Sequence, residues 1–361
     1  MMQQCFLRTD ADGVTGFGHF SRCLTLARKM GAFNFQPVFA LKHFTDSILS
    51  ALDQSSIPFI MIPRNASWQE EAQLLADVDQ EGSAAIVLDF CHSYTLGNID
   101  GFETYTKRLS DIFRVVALLD GLAHDALIKL ATLEADLVVT PYCGAQNLSP
   151  NGERGFHHLT GPGFMVFQDE YTMVRNNNRP IAGSGRKVLL TFGGSDPQGI
   201  SILALQALSL ITEIELEIRV VIGPAFKDGL KSNIKKAVEG ISHRVTLRNS
   251  PPTLAREMLW CDLAISSTGL TKYELALTGT PAVFLSIDEK HHSVNREFSN
   301  ARTGVDLGLC AGLVPADVKA AVLTLLDDAA SRYMMSRNGL KLVGLHGAEQ
   351  ILSHIRRLYD A

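Results

Sequence analysis

The stretch Arg8-Thr9-Asp10-Ala11-Asp12-Gly13-Val14-Thr15-Gly16-Phe17-Gly18-His19-Phe20-Ser21-Arg22 decides how this chain is read. Just ahead of it, Cys5-Phe6-Leu7 has the apolar character of a short buried strand. Just after it, Leu24, Leu26, Ala27 and Met30 recur at helical spacing. The order is therefore strand, glycine-punctuated loop, helix, with a histidine at the helix start. Glycines let backbone amides approach a ligand closely, and a helix start offers unpaired N–H groups and partial positive charge. That charge disfavours an imidazolium, so His19 is placed to stay neutral and to accept a proton. Two readings stand at this point: a general base over a phosphorylated substrate, or a plain strand-to-helix turn with a surface histidine.

Working outward, the 361 residues are 46% hydrophobic and 20% charged, the balance of an ordinary globular protein. A single core rarely grows past roughly 250–300 residues, so two domains are expected. The net charge of −5, with no Lys/Arg run, argues against a nucleic-acid surface. No stretch reads as a signal peptide or membrane span, and the expected location is the cytoplasm. Cys5, Cys23, Cys91, Cys143, Cys261 and Cys310 are scattered without a C-x-x-C pair, so buried free thiols are expected rather than disulfides. No ligand spacing calls for a metal, and no cofactor is expected.

The first half alternates strands (Pro37–Leu41, Phe59–Ile62, Ala84–Asp89, Arg114–Leu119, Leu137–Val139) with helical patterns around 44–52, 68–80 and 102–112. That alternation predicts a parallel sheet covered on both faces. Two strands end in an acid, Asp89 and Asp120, where ligands of such sheets bind; a capping role is the other reading for Asp120. Polar, Pro- and Gly-containing text over 176–186 reads as a linker, and then the alternation restarts. The expected domains are residues 1–178 and 186–345, with a last helix over 346–361 that fits either unit.

The second unit opens with Leu189-Leu190-Thr191-Phe192-Gly193-Gly194-Ser195-Asp196-Pro197, a buried strand running into Gly194 and Ser195. Such a loop can turn amides toward a phosphate, or it can be a turn with Asp196 as helix cap. Further on stands Ile265-Ser266-Ser267-Thr268-Gly269-Leu270-Thr271-Lys272-Tyr273-Glu274. Ser267, Thr268 and Gly269 at a helix start suit a diphosphate, and Glu274 one turn in can accept both hydroxyls of a ribose. A solvated helix face is the alternative for Glu274.

Together these motifs resemble the PseG/SpsG family, the UDP-sugar hydrolases of pseudaminic acid biosynthesis, within the MurG-like superfamily. The matching text is Arg8-x-Asp10, Gly16-Phe17-Gly18-His19-x-x-Arg22, Phe192-Gly193-Gly194-Ser195-Asp196-Pro197, Ser266-Ser267…Glu274…Gly279-x-Pro281 and Met335-Ser336…Gly339…Leu342-Val343. The resemblance implies a GT-B fold, two Rossmann-like α/β domains with parallel sheets facing a cleft. It implies UDP in the C-terminal domain and the sugar beside the His19 loop, with His19 as base and Asp89 near the sugar. Arg8, Asp10, Gly16, Gly18 and Arg22 would join the substrate on that side. His291-His292 stands where the family usually has Asn-Gln; the pair either donates to the diphosphate or caps its helix. The implied activity is hydrolysis of a UDP-linked acetamido-deoxy sugar by inverting attack of water at the anomeric carbon. A glycosyltransferase using the same donor, and a non-catalytic nucleotide-sugar-binding protein, are the alternatives.

Overall fold

The computed structural model describes residues 2–11, 18–79, 82–90, 98–119, 133–145, 156–175, 181, 183–251, 253–267 and 269–361, the side chains of Ser47 and Lys290 excepted. The chain divides into two compact units, residues 1–168 with 346–361, and residues 169–345. The division falls ahead of the Asn-rich stretch, and the C-terminal helix belongs to the first unit.

The first unit runs β1 (Gln3–Thr9), α1 (Gly18–Met30), β2 (Phe35–Leu41), α2 (Asp46–Gln54), β3 (Phe59–Met61), α3 (Trp68–Val78), β4 (Ala85–Asp89), α4 (Ile99–Ile112), β5 (Val115–Leu119), β6 (Leu137–Thr140) and β7 (His157–Thr160). Its seven-stranded sheet has the order β3-β2-β1-β4-β5-β6-β7, paired in parallel throughout. Strand period fixes which residue serves which face. In β4, Ala85 and Val87 pack with Leu26 of α1, while Ile86 and Leu88 pack with Leu75 and Phe102 of α3 and α4. Asp89 therefore emerges on the α1 face. By the same alternation Cys5 and Leu7 of β1 share the α1 face, and Phe6 and Arg8 take the other.

The second unit runs α5 (Asp169–Arg175), β8 (Lys187–Thr191), α6 (Ile200–Ser209), β9 (Glu217–Ile222), α7 (Asp228–Glu239), β10 (Arg244–Asn249), α8 (Ala255–Trp260), β11 (Leu263–Ser266), α9 (Thr271–Leu277), β12 (Ala282–Ser286), α10 (Glu289–Asn300), β13 (Gly304–Leu309), α11 (Pro315–Asp327) and α12 (Ala329–Leu342). Its six-stranded parallel sheet has the order β10-β9-β8-β11-β12-β13. One face buries Val188, Leu190, Val220 and Ile265 beneath α6 and α11. On the other, Phe284 and Tyr273 meet the Phe298 ring edge-on, at 5.9 and 4.8 Å between centroids.

The last helix, α13 (Gly347–Asp360), returns to the first unit because its apolar stripe Ile351, Leu352, Ile355 and Tyr359 completes the α1 face of that sheet. A Cβ on Gly347 would lie 2.2 Å from the Met165 carbonyl oxygen, so only glycine lets the helix start so close. Tyr359 donates to the Ser83 carbonyl at 2.7 Å, and Lys29 pairs with Glu349 at 2.9 Å.

In each sheet the strand order reverses beside its first strand, at β1/β4 and at β8/β11. In parallel α/β sheets ligands bind outside the strand C-termini at such a switch point. The ends of these four strands are where sites are to be sought.

Beneath the first switch point Arg8 is fully buried on the α3 face. Its Nε donates to Glu71 at 2.6 Å and its Nη1 to Asp10 at 2.7 Å, and Tyr105 donates to the same Glu71 oxygen at 2.7 Å. A buried charge deprived of its partner is costly. Glu71→Ala should therefore lower unfolding free energy by about 3–5 kcal/mol. Urea denaturation checks this, and a loss near zero would contradict the network's role.

Candidate functional site

At the β1/β4 end of the first unit, α1 presents His19 and Arg22 on one face, three residues apart. Both reach the Asp89 carboxylate at the end of β4. Arg22 binds it as a fork, Nε to Oδ2 at 2.7 Å and Nη2 to Oδ1 at 2.6 Å, and His19 Nδ1 lies 2.6 Å from Oδ1. Cys23, one residue further along α1, directs its thiol to Oδ2 at 3.7 Å. Burial would raise the Asp89 pKa, but the charges and hydrogen bonds of Arg22 and His19 outweigh it and hold it at about 2. The same burial, with the Asp89 charge beside it, drives the Cys23 thiol up and keeps it protonated.

An ionised carboxylate only accepts hydrogen bonds, so the His19 nitrogen facing it must carry hydrogen. In the neutral ring the lone pair then lies on Nε2. Asp89 and Arg22 are buried, whereas 16% of the His19 side chain is exposed. Arg22 Nη2 also sits 3.2 Å from His19 Nδ1. The group thus sets a fixed anion behind Nδ1 and leaves Nε2 as the basic nitrogen of the neutral ring.

Asp10 serves a different purpose. Its Oδ1 accepts the backbone N–H groups of Lys42 at 3.0 Å and His43 at 2.9 Å as well as Arg8, tying the end of β1 to the end of β2. Burial opposes ionisation of Asp10, but Arg8 and these donors hold its carboxyl below the usual range. The expectation that Arg8 contacts substrate does not match its placement. It stands on the sheet face opposite Asp89 with its side chain wholly enclosed. The sequence spacing Arg8-x-Asp10 marks a tie between the ends of β1 and β2. Gly18 is the exposed first residue of α1; Asp12, Gly16 and Asp120 lie outside the described residues.

In the second unit the loop after β8 carries Gly194 and Ser195 at the surface. Gly193 has φ +73°, a left-handed conformation natural to glycine, and Asp196 caps α6 by accepting Ile200 and Ser201 N–H at 2.8 and 2.9 Å. Beyond β11, Ser267 is buried and Gly269, with φ +83°, is exposed; Thr268 lies outside the described residues. A residue not signalled by the sequence joins these loops. Asn295 of α10 is fully buried, donates to the Ser267 carbonyl at 3.0 Å and to Ser286 Oγ at 2.9 Å, and accepts Lys272 Nζ at 3.3 Å. It therefore couples the ends of β11 and β12 to α9.

Glu274, on the seven-residue α9, is partly exposed. Its crowded surroundings push its carboxyl up to about 7, against the pull of a hydrogen bond from Tyr171 of α5. His291 lies 2.7 Å from Asp288, the cap of α10, through its Nδ1, and His292 Nδ1 lies 2.8 Å from Asp306 of β13. His291 is thus engaged locally at the α10 start, whereas His292 Nδ1 is buried beside Asp306 without a hydrogen bond among the described residues. Among the described residues no cluster of three or more His, Cys, Asp or Glu is arranged for a metal, and no helix is long and apolar enough to cross a membrane.

No family model matches the chain. It is 23% identical over 203 residues to the spore coat polysaccharide biosynthesis protein SpsG of Bacillus subtilis, covering 55% of this chain and 56% of that one. It is 28% identical over 161 residues to the UDP-N-acetylglucosamine–N-acetylmuramyl-(pentapeptide) pyrophosphoryl-undecaprenol N-acetylglucosamine transferase of Mannheimia succiniciproducens, 44% of each chain. The chain spans about half the length of the curated relatives it matches. Among solved structures, MurG of Acinetobacter baumannii superposes with TM-score 0.66 at 14% identity, over 98% of this chain and 99% of that one. Anabaena HepE in complex with UDP-glucose gives 0.61 at 14% identity, over 97% and 98%. The fold is GT-B. The expected two parallel-sheet α/β architecture is the one found.

The low Asp89 pKa carries a stability consequence. Folding lowers it below the usual carboxylate value of 3.8, so its contribution is full above that value and is lost as pH falls through about 2. The stability margin of the wild type over Asp89→Asn should shrink by about 2 kcal/mol between pH 5 and pH 2. Denaturant titrations across that range check this; a pH-independent margin would contradict it.

Proposed function

We propose that the protein is an enzyme that displaces UDP from the anomeric carbon of a UDP-sugar, with His19 as general base. The observation that carries this reading is the buried Arg22–Asp89 pair holding His19 Nδ1 at the β1/β4 switch point. His19 Nε2 takes the proton from an attacking hydroxyl as its oxygen bonds to the anomeric carbon. The bond from that carbon to the UDP oxygen breaks, and its electron pair leaves with the diphosphate. Asp89 stabilises the imidazolium that forms and acts through His19 as a positioning residue. The nucleotide is assigned to the second unit, with the diphosphate at the Gly194–Ser195 and Ser267–Gly269 loops and the ribose at Glu274. The similarity to HepE, solved with UDP-glucose, supports a UDP-sugar ligand.

Water as the attacking group gives a UDP-sugar hydrolase acting on an acetamido-deoxy sugar, the reading that the motif resemblance favours. A sugar hydroxyl in the same position gives a glycosyltransferase. The N-acetylglucosamine transferase match supports that second reading at least as well. Either way a single displacement inverts the anomeric centre, since a nucleotide leaves readily without a second acid.

The test is UDP release from a panel of UDP-sugars in ¹⁸O-water, with and without acceptor sugars. Label in the sugar, with the inverted anomer first, marks the hydrolase; release only with acceptor marks the transferase. In either case His19→Ala should cut turnover roughly 10²–10⁴-fold while leaving UDP affinity within a few-fold. Label in the UDP, or near-normal turnover of the variant, would remove His19 from its role.

A further inference from the structure

Tyr171 stands outside every motif that the sequence makes conspicuous, yet it meets the residue assigned to the ribose. We propose that Tyr171 is the positioning residue of the nucleoside subsite: its phenol hydrogen-bonds the Glu274 carboxylate while its oxygen accepts a backbone N–H, fixing that carboxylate for a vicinal diol. This rests on the reading of the second unit as the nucleotide-binding one.

The phenol ring is almost wholly buried on α5. Its oxygen accepts the Leu254 N–H at 3.2 Å, just ahead of α8, and its hydrogen bond reaches Glu274 on α9. Burial, with the Glu274 charge next in size, raises the Tyr171 pKa, so the phenol keeps its proton and serves as the donor to the carboxylate. A carboxylate has about four lone-pair sites. One taken by the phenol leaves enough for two neighbouring hydroxyls and pins the rotation that would otherwise spread the group over several orientations. Losing that freedom before the ligand arrives reduces the ordering cost of binding.

The same hydrogen bond keeps Glu274 competent. Only the ionised form accepts from both hydroxyls, and burial pushes its carboxyl up to about 7 even with Tyr171 pulling it down. The elements packed on α9 are α5, α12 and β11, and among the described residues Tyr171 is the titratable group they turn toward Glu274. The anion is present above about pH 7 and is lost below it. Diol binding should follow the anion, and removing the phenol should move the transition upward.

The experiment uses the full chain and its Tyr171→Phe and Glu274→Gln variants. Carboxyl-¹³C NMR follows the Glu274 titration without ligand, and calorimetry measures UDP, 2′,3′-dideoxy-UDP and inorganic pyrophosphate from pH 6 to 9. Tyr171→Phe should raise the Glu274 midpoint and weaken UDP at pH 7 roughly three- to tenfold. The loss should shrink at pH 9, and dideoxy-UDP and pyrophosphate should be unaffected. Glu274→Gln should remove the pH dependence of UDP binding. An unchanged Glu274 midpoint, or an equal loss for dideoxy-UDP, overturns the positioning role. A shifted midpoint in Tyr171→Phe, with a wild-type chain that binds UDP no better than pyrophosphate, overturns instead the nucleotide reading beneath it.

Discussion

The Asp89 carboxylate, closed off from water at the end of β4 and gripped by the Arg22 fork, is the interaction on which the account depends. It fixes α1 against β4, orients the one partly exposed member of the group, and sets which nitrogen of His19 holds the proton. A buried anion survives only with donors on its lone pairs. Asp89 has Arg22, His19 and the Cys23 thiol, and each lies on the same two turns of α1. The helix that covers the sheet is thus also the one that builds the site.

Strand alternation divides the labour around this anion. Thr9 pairs with Asp89 across β1 and β4, and Arg8 with Leu88. A one-residue step along β1 therefore separates a side chain aimed at the α1 face from one enclosed with Glu71, Tyr105 and the Phe90 ring, whose centroid lies 4.8 Å from the Arg8 guanidinium carbon. Two charged networks occupy opposite faces of one sheet, His19–Arg22–Asp89 above and Arg8–Asp10–Glu71 below. The lower one ties the end of β1 to the end of β2, and the upper one is the group proposed to carry the chemistry.

Much of this fold is legible in the sequence because its central strands are near-continuous apolar runs, and β8, β11 and β12 begin and end where composition changes. The edges are less legible. β7 reads His157-His158-Leu159-Thr160 and β13 interrupts its apolar residues with Asp306 and Gly308, as edge strands with one solvated side can. α12 has no clean apolar stripe, so its periodicity does not announce it. The chemistry-bearing residue types, His19, Asp89 and Glu274, stand out by position after strands. Their supports do not. Asn295 lies in a helix whose residues read as polar surface, and only tertiary packing buries it against the ends of β11 and β12. Tyr171 lies far along the chain from Glu274, and nothing local indicates that they meet. Arg8 shows the converse: a residue placed beside a motif whose strand parity sends it to the other face.

The most direct test of the central claim is the tautomer of His19, read from the ¹⁵N shifts of its ring in the ligand-free protein at a pH where the ring is neutral. The account predicts hydrogen on Nδ1, facing Asp89, and the lone pair on Nε2. A neutral ring with its hydrogen on Nε2 would contradict it, because the nitrogen away from Asp89 would then have no lone pair with which to accept a proton.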